Sequence, residues 1–230
     1  LQDTLKWSRK VRDTARGARI LVDAVQAWGK IPFCQAKSGA DYLMCSAHKF
    51  GGPKGVGALV LGKGVAAAPL LTGGGQEMGR RSGTENVIGI AGFGAAAEAA
   101  ARGLADGVWG RVEKLRNILE STIAEAAPET IFVGKSAPRL PNTSCFAVPG
   151  WKGETQVMQM DLAGFAISAG SACSSGKVRT SRVLTAMGHD AAVAGCAIRV
   201  SLGPTTTEEE VARFCAAWLE KHKAFRTRAA

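Results

Sequence analysis

The chain has 230 residues, 46% of them apolar and 21% charged, with a formal net charge of +10. That is ordinary globular composition with chain enough for a real core, and it excludes a disordered tail. The excess charge sits at the ends: residues 1–19 hold six basic and two acidic side chains and residues 220–230 four and one, leaving +3 between them. No aromatic-interleaved basic stripe accompanies these ends, so nucleic acid is not an expected partner. The densest apolar stretch, Val87 to Ala101, is broken by three glycines and Glu98, so no membrane span is expected. No basic-then-apolar leader opens the chain, and a cytoplasmic location is the expectation. The six cysteines include no C-x-x-C pair and there are three histidines, so no metal site is expected. Cys45, Cys145, Cys196 and Cys215 have apolar neighbours and read as small core residues.

Taken in chain order, Ile20 to Val22 reads as a short buried strand ending at Asp23, Tyr42 to Ala47 as a second and Ala58 to Leu61 as a third. An alanine-rich helix is predicted from Thr84 to about Leu104. Another spans Val108 to Ala127, with Val112, Leu115, Leu119 and Ile123 along one face. Strands follow at Thr130 to Val133 and Ser144 to Val148, then a helix from Glu154 to Ala163, and strands at Phe165 to Ser168 and Ile198 to Leu202. Thr207 with Glu210 forms a capping box for the last helix, whose buried face is Val211, Phe214, Cys215, Trp218 and Leu219. The pattern is α/β, with a parallel-rich sheet in residues 1–103 and a smaller α+β domain in residues 104–230. Residues 1–19 stand apart as atypical.

Glycine, at 29 residues, is in excess and clustered, as at Gly51-Gly52, Gly55 and Gly57 and at Gly73-Gly74-Gly75. Such clusters mark backbone turned sharply or brought close to something. One lies in Ser46-Ala47-His48-Lys49-Phe50-Gly51-Gly52-Pro53-Lys54-Gly55. A lysine just past a strand end can project its amine into a cleft and act as a nucleophile toward an aldehyde. Alone, the same turn reads as a surface lysine. Asp23, at the end of the earlier strand, reads either as a helix N-cap or as a carboxylate that keeps the ring nitrogen of pyridoxal phosphate protonated.

Further along stand Asp23-Ala24-Val25-Gln26 with Gly29-Lys30, Gly73-Gly74-Gly75-Gln76-Glu77 and Arg81-Ser82-Gly83-Thr84-Glu85-Asn86. Ser168-Ala169-Gly170-Ser171-Ala172-Cys173-Ser174-Ser175-Gly176 and Ile198-Arg199-Val200-Ser201-Leu202-Gly203 complete the series. In this order, over residues 20 to 220, the motifs resemble the NifS/IscS-type cysteine desulfurases. The resemblance implies a fold-type-I, pyridoxal 5'-phosphate-dependent homodimer of the class-V aminotransferase family. Its members take sulfur from L-cysteine, leave L-alanine and pass a persulfide to an acceptor or iron–sulfur scaffold protein.

The same resemblance makes Lys49 the Schiff-base lysine and Asp23 the pyridinium partner. It assigns Gln26 to the phenolic oxygen, Ser46 and His48 to the phosphate, Thr84 to the phosphate of the neighbouring subunit, and Arg199 to the substrate carboxylate. Cys173, in a loop of small residues with Lys177 and Arg179 close in sequence, would be the thiolate that takes the sulfur. Relatives run to nearly twice this length. The part expected before residue 1 carries a phosphate loop and a histidine that stacks on the ring, for which His189 and His222 are out of order. An isolated chain is therefore expected to be weakly active. The alternatives are another class-V enzyme (a selenocysteine lyase or an aminotransferase) and a non-catalytic remnant that binds a partner.

Overall fold

Asp3 opens the first helix, α1 (Thr4–Thr14), by accepting a hydrogen bond from the Lys6 amide at 3.0 Å. In the computed structural model, which describes residues 3–170 and 181–229, α1 leads into β1 (Leu21–Asp23). The short α2 (Gln35–Ser38), β2 (Tyr42–Ser46), β3 (Gly57–Leu61) and the long α3 (Val87–Ala105) follow. These elements form one unit, residues 1–108; residues 109–230 form the second. The sequence pattern set that division at 103/104.

The sheet of the first unit runs β1-β2-β3. β1 pairs with β2 in parallel (Asp23 opposite Met44), and β2 pairs with β3 antiparallel (Ser46 opposite Gly57). The parallel pairing expected of this half is thus confined to β1 and β2. Along β2, Leu43 and Cys45 alternate inward, as a strand with one buried face requires. Asp41 ties the unit's start together, its carboxylate accepting from the Ile20 amide (2.8 Å), Arg12 (3.2 Å) and Arg19 (3.3 Å). The Ile20 hydrogen bond and the two guanidinium groups outweigh burial and hold this carboxyl below its usual range.

α3 is the platform of this unit. A Cβ on Gly89 would come within 2.4 Å of Val56, and one on Gly92 within 2.6 Å of Pro53. Conversely, a Cβ on Gly52 would meet Ala96 at 3.2 Å, and one on Gly29 would meet Ala100 at 2.9 Å. Gly89, Gly92, Ala96 and Ala100 therefore form a stripe of small residues on which the turn after β1 and the turn after β2 both lie. Phe50 packs on Phe93 beside it, ring centroids 5.6 Å apart. By length and composition α3 could also cross a membrane, although the sequence pattern had excluded a span by its glycines and Glu98.

The second unit takes in most of α4 (Val108–Ala126), then β4 (Ile131–Phe132), β5 (Thr143–Ala147) and α5 (Gly153–Leu162). It continues through β6 (Ser168–Ala169), α6 (Arg182–Ala186), α7 (Ala191–Cys196), β7 (Ala197–Ser201) and α8 (Glu208–Ala229). Its antiparallel sheet has the order β4-β5-β7-β6. The predicted faces of α4 and α8 meet in its core, where Leu119, Ile123, Phe146, Met160, Ile198, Val211 and Trp218 are buried. The Thr207–Glu210 capping box forms, with reciprocal bonds of 2.9 and 3.2 Å. Gln156 stitches the core, donating to the Trp151 and Cys196 carbonyls and accepting from the Trp218 indole. β6 is shorter than the strand predicted at Phe165 to Ser168, because Phe165 to Ile167 leave the ladder. Cys45, Cys196 and Cys215 are buried, Cys145 is half-buried and Cys34 is exposed.

Candidate active site

Two parallel strands that end side by side make a natural ligand site, since loops diverge from their carboxyl ends. Asp23 is the last residue of β1 and Ser46 the last of β2, and their parallel register brings both ends to one edge of the sheet. Beyond β1 the chain turns sharply. Asp23 Oδ1 accepts from the Val25 amide at 2.9 Å, while the Ala27 and Trp28 amides donate back to the Ala24 carbonyl. Beyond β2 a 3-10 turn, Ala47–Lys49, is closed by the Phe50 and Gly52 amides on the Ala47 carbonyl. Gly51 and Gly55 in this segment have φ of +97° and +79°, which only glycine adopts without strain.

These turns gather five of the sequence-predicted residues. Asp23 and Gln26 stand exposed on the first turn, and His48 and Lys49 exposed on the second. Ser46 Oγ lies 2.8 Å from His48 Nδ1, so a hydroxyl and an imidazole are already paired. The turns are also fastened to each other. Lys30 is buried, and its ammonium donates to the Gln26 carbonyl (3.0 Å), the Gln26 amide oxygen (3.4 Å) and the Lys49 carbonyl (3.3 Å). Burial, and secondarily the charge of Lys49, lower the proton affinity of Lys30 below that of an ordinary lysine. In the sequence Lys30 stands in the Gly29-Lys30 motif without an assigned role; its place four residues after Gln26 is the available signal.

The donor set fits pyridoxal phosphate: a carboxylate for a protonated ring nitrogen, an amide for a phenolic oxygen, a hydroxyl and imidazole for a phosphate, and an amine for an aldehyde. Thr84 lies elsewhere in the unit, on the exposed loop before α3, where Arg81 donates to the Gly83 and Thr84 carbonyls. Ser82 donates to the Gly74 carbonyl, and the Gly83 amide donates to Gln76. Two neighbouring motifs of the sequence, Gly73 to Glu77 and Arg81 to Asn86, are thus one hydrogen-bonded loop.

Arg199 belongs to the second unit, half-buried in β7 between Cys145 on β5 and Ser168 on β6. Burial pushes the Cys145 thiol up, and the Arg199 charge offsets part of that rise. The other two histidines also belong to this unit. His222 is engaged in its core, stacked on Trp218 and bonded to Glu129 at 3.0 Å. Cys173, with Lys177 and Arg179, lies outside the described residues. Among the described residues no group of three or more potential metal ligands occurs.

The class-V aminotransferase model matches residues 2–214, a span that includes α1 as well as the motifs. A cysteine desulfurase of Cereibacter sphaeroides is 47% identical over 197 residues, 86% of this chain and 50% of that one. A cysteine desulfurase of Klebsiella pneumoniae is 44% identical over 196 residues, 85% of this chain and 49% of that one. The solved structure of a NifS-like protein from Rickettsia africae superposes with a TM-score of 0.86 at 32% identity, covering 97% of this chain and 58% of that one. The chain spans about half the length of the curated relatives it matches. Its fold is that of the NifS-like, fold-type-I proteins. By the matched span and the shared fold, this chain belongs to the class-V aminotransferase family, and within it is similar to the NifS-type cysteine desulfurases.

Proposed function

We propose that the chain carries the cofactor lysine and the sulfur-accepting cysteine of a pyridoxal phosphate-dependent cysteine desulfurase. The observation that supports this reading is the convergence of Asp23, Gln26, Ser46, His48 and Lys49 at the carboxyl ends of β1 and β2. When bound, pyridoxal phosphate supplies an electron sink that draws electrons from the α-carbon of an amino acid. Lys49 holds it covalently. The Asp23 carboxylate keeps the ring nitrogen protonated, Gln26 donates to the phenolic oxygen, and the Ser46 hydroxyl and His48 imidazole hold the phosphate. Thr84 reaches the phosphate of a second copy in a homodimer. Arg199 binds the carboxylate of L-cysteine through its planar guanidinium.

Cys173 receives the sulfur. An S–S bond forms to the Cys173 sulfur as the carbon–sulfur bond of L-cysteine breaks. The thiol and the amino acid become a persulfide and L-alanine, with no outside oxidant or reductant. The persulfide then goes to an acceptor or iron–sulfur scaffold protein.

The test supplies the chain with pyridoxal phosphate and L-cysteine and measures alanine together with the mass of the Cys173 peptide. The reading expects one added sulfur atom on Cys173 for each alanine formed in a single turnover. Cys173→Ala should lose the persulfide and keep cofactor on Lys49. Transamination that continues unchanged in Cys173→Ala, without any persulfide in the parent chain, would count for an aminotransferase instead.

A further inference from the structure

Lys30 is an expensive residue to bury, since an ammonium out of water costs several kcal/mol unless its donors are satisfied. It is 8% exposed, and its three hydrogen bonds all go to oxygens of neutral groups. Two of those oxygens belong to Gln26 and the third is the carbonyl of Lys49, so the contacts join segments 19 residues apart. The backbone here is set by other means. Gly29 takes φ of +73°, and a Cβ there would meet Ala100 and Phe50. It is the ammonium, through its bonds to Gln26 and to the Lys49 carbonyl, that links the two turns.

Resting on the proposed cofactor role of Lys49, we infer that Lys30 is a positioning residue for it: its buried ammonium fastens the turn after β1 to the turn after β2 and so fixes where Gln26 and Lys49 stand relative to each other. The charge felt between Lys30 and Lys49 agrees with this closeness. One cation therefore serves two cofactor contacts by holding a backbone carbonyl and a side-chain amide at once. A methionine would keep the stem and lose the fastening; an arginine would keep donors and charge.

The experiment compares the parent chain with Lys30→Met, Lys30→Arg and Leu43→Ala. The last variant weakens the same unit without touching these contacts, because Leu43 is buried on β2. Hydrogen exchange, read without cofactor, should accelerate about tenfold in residues 24–31 and 47–52 of Lys30→Met, the scale of losing a charge-assisted hydrogen bond. Exchange in residues 57–61 should stay at the parent rate. Borohydride-fixed pyridoxal phosphate on Lys49, taken as a ratio to exposed Lys114, should fall about tenfold in Lys30→Met. It should recover in Lys30→Arg and hold in Leu43→Ala. Parent-like exchange in both turns of Lys30→Met overturns the inference, as does an equal loss of the Lys49 ratio in Leu43→Ala. Fast exchange in both turns of Lys30→Met, with no label on Lys49 of the parent chain, upholds the fastening and overturns the cofactor reading.

Discussion

Glu120 in α4 is buried, yet it accepts two hydrogen bonds from Arg139 at 2.7 and 3.0 Å and a third from Ser144 at 2.7 Å. Burial works to raise this carboxyl. The Arg139 and Ser144 hydrogen bonds and the charges of Arg139 and Arg116 prevail and hold it low. Removing Arg139 leaves the buried carboxylate without its ion-pair partner and with one hydrogen bond, from Ser144, so Arg139→Met is expected to cost about 3–5 kcal/mol in urea unfolding. Arg102→Met removes only an exposed pair with Glu98 at 3.9 Å and should cost less than about 0.5 kcal/mol. Glu120, Asp41 and Glu129 all sit below their ordinary values of 4.5, 3.8 and 4.5. A carboxyl depressed in the folded state adds stability that is complete above the ordinary value and lost as pH falls through the depressed one. The urea midpoint should therefore fall with acid below about pH 4.5, less steeply in Glu120→Gln. At the thiols, burial pushes Cys215 up to about 11. Iodoacetamide at neutral pH should modify exposed Cys34 and reach Cys45, Cys196 and Cys215 only after unfolding. Asp23 and Lys49 were legible in the sequence because each sits at or just past a strand end, whereas Ser46 drew its role only from the family resemblance. Lys30 was not, because its burial comes from a partner turn 19 residues away.

Among the elements, α3 shows how packing decides the use of a glycine. Gly92 faces the Pro53 ring at 2.6 Å from where a Cβ would stand, whereas nothing lies within 4 Å of one on Gly94. Gly92→Ala should destabilise by about 1–3 kcal/mol through overpacking, and Gly94→Ala should stabilise by about 0.5–1 kcal/mol through helix propensity. Thermal unfolding of the two variants checks both signs. The sequence pattern reads α3 as an alanine-rich helix but not as a platform, since the glycines acquire their meaning only from Pro53, Val56 and the two turns. α4 and α8 were legible because their apolar spacing repeats over several turns of helix. α6 and α7, five and six residues long, give no such period. α1 carries mostly polar residues outside its few contacts, and it is held through Ser8 on the Ser38 carbonyl and Arg12 on Asp41, links that no local pattern displays.

Across the whole molecule, the first unit leaves much apolar surface uncovered. Leu21 on β1, Leu59 on β3, Leu70 and Met78 in the loop, and Val87 and Ile88 on α3 are all exposed. Both outer strands of its sheet, β1 and β3, pair on one side only among the described residues. Such surface and edges favour association. Sedimentation should show a dimer or larger species that grows with concentration, and a monomer at every concentration would count against a second copy on this unit. The same openness predicts weak binding of pyridoxal phosphate by this chain, and weak binding can still be selective. The most direct measurement is peptide mass spectrometry after the chain is mixed with pyridoxal phosphate and reduced with borohydride. Label should concentrate on the peptide carrying Lys49 and be absent from it in Lys49→Ala. Label spread over the exposed lysines with no preference for Lys49 would contradict the cofactor role of Lys49.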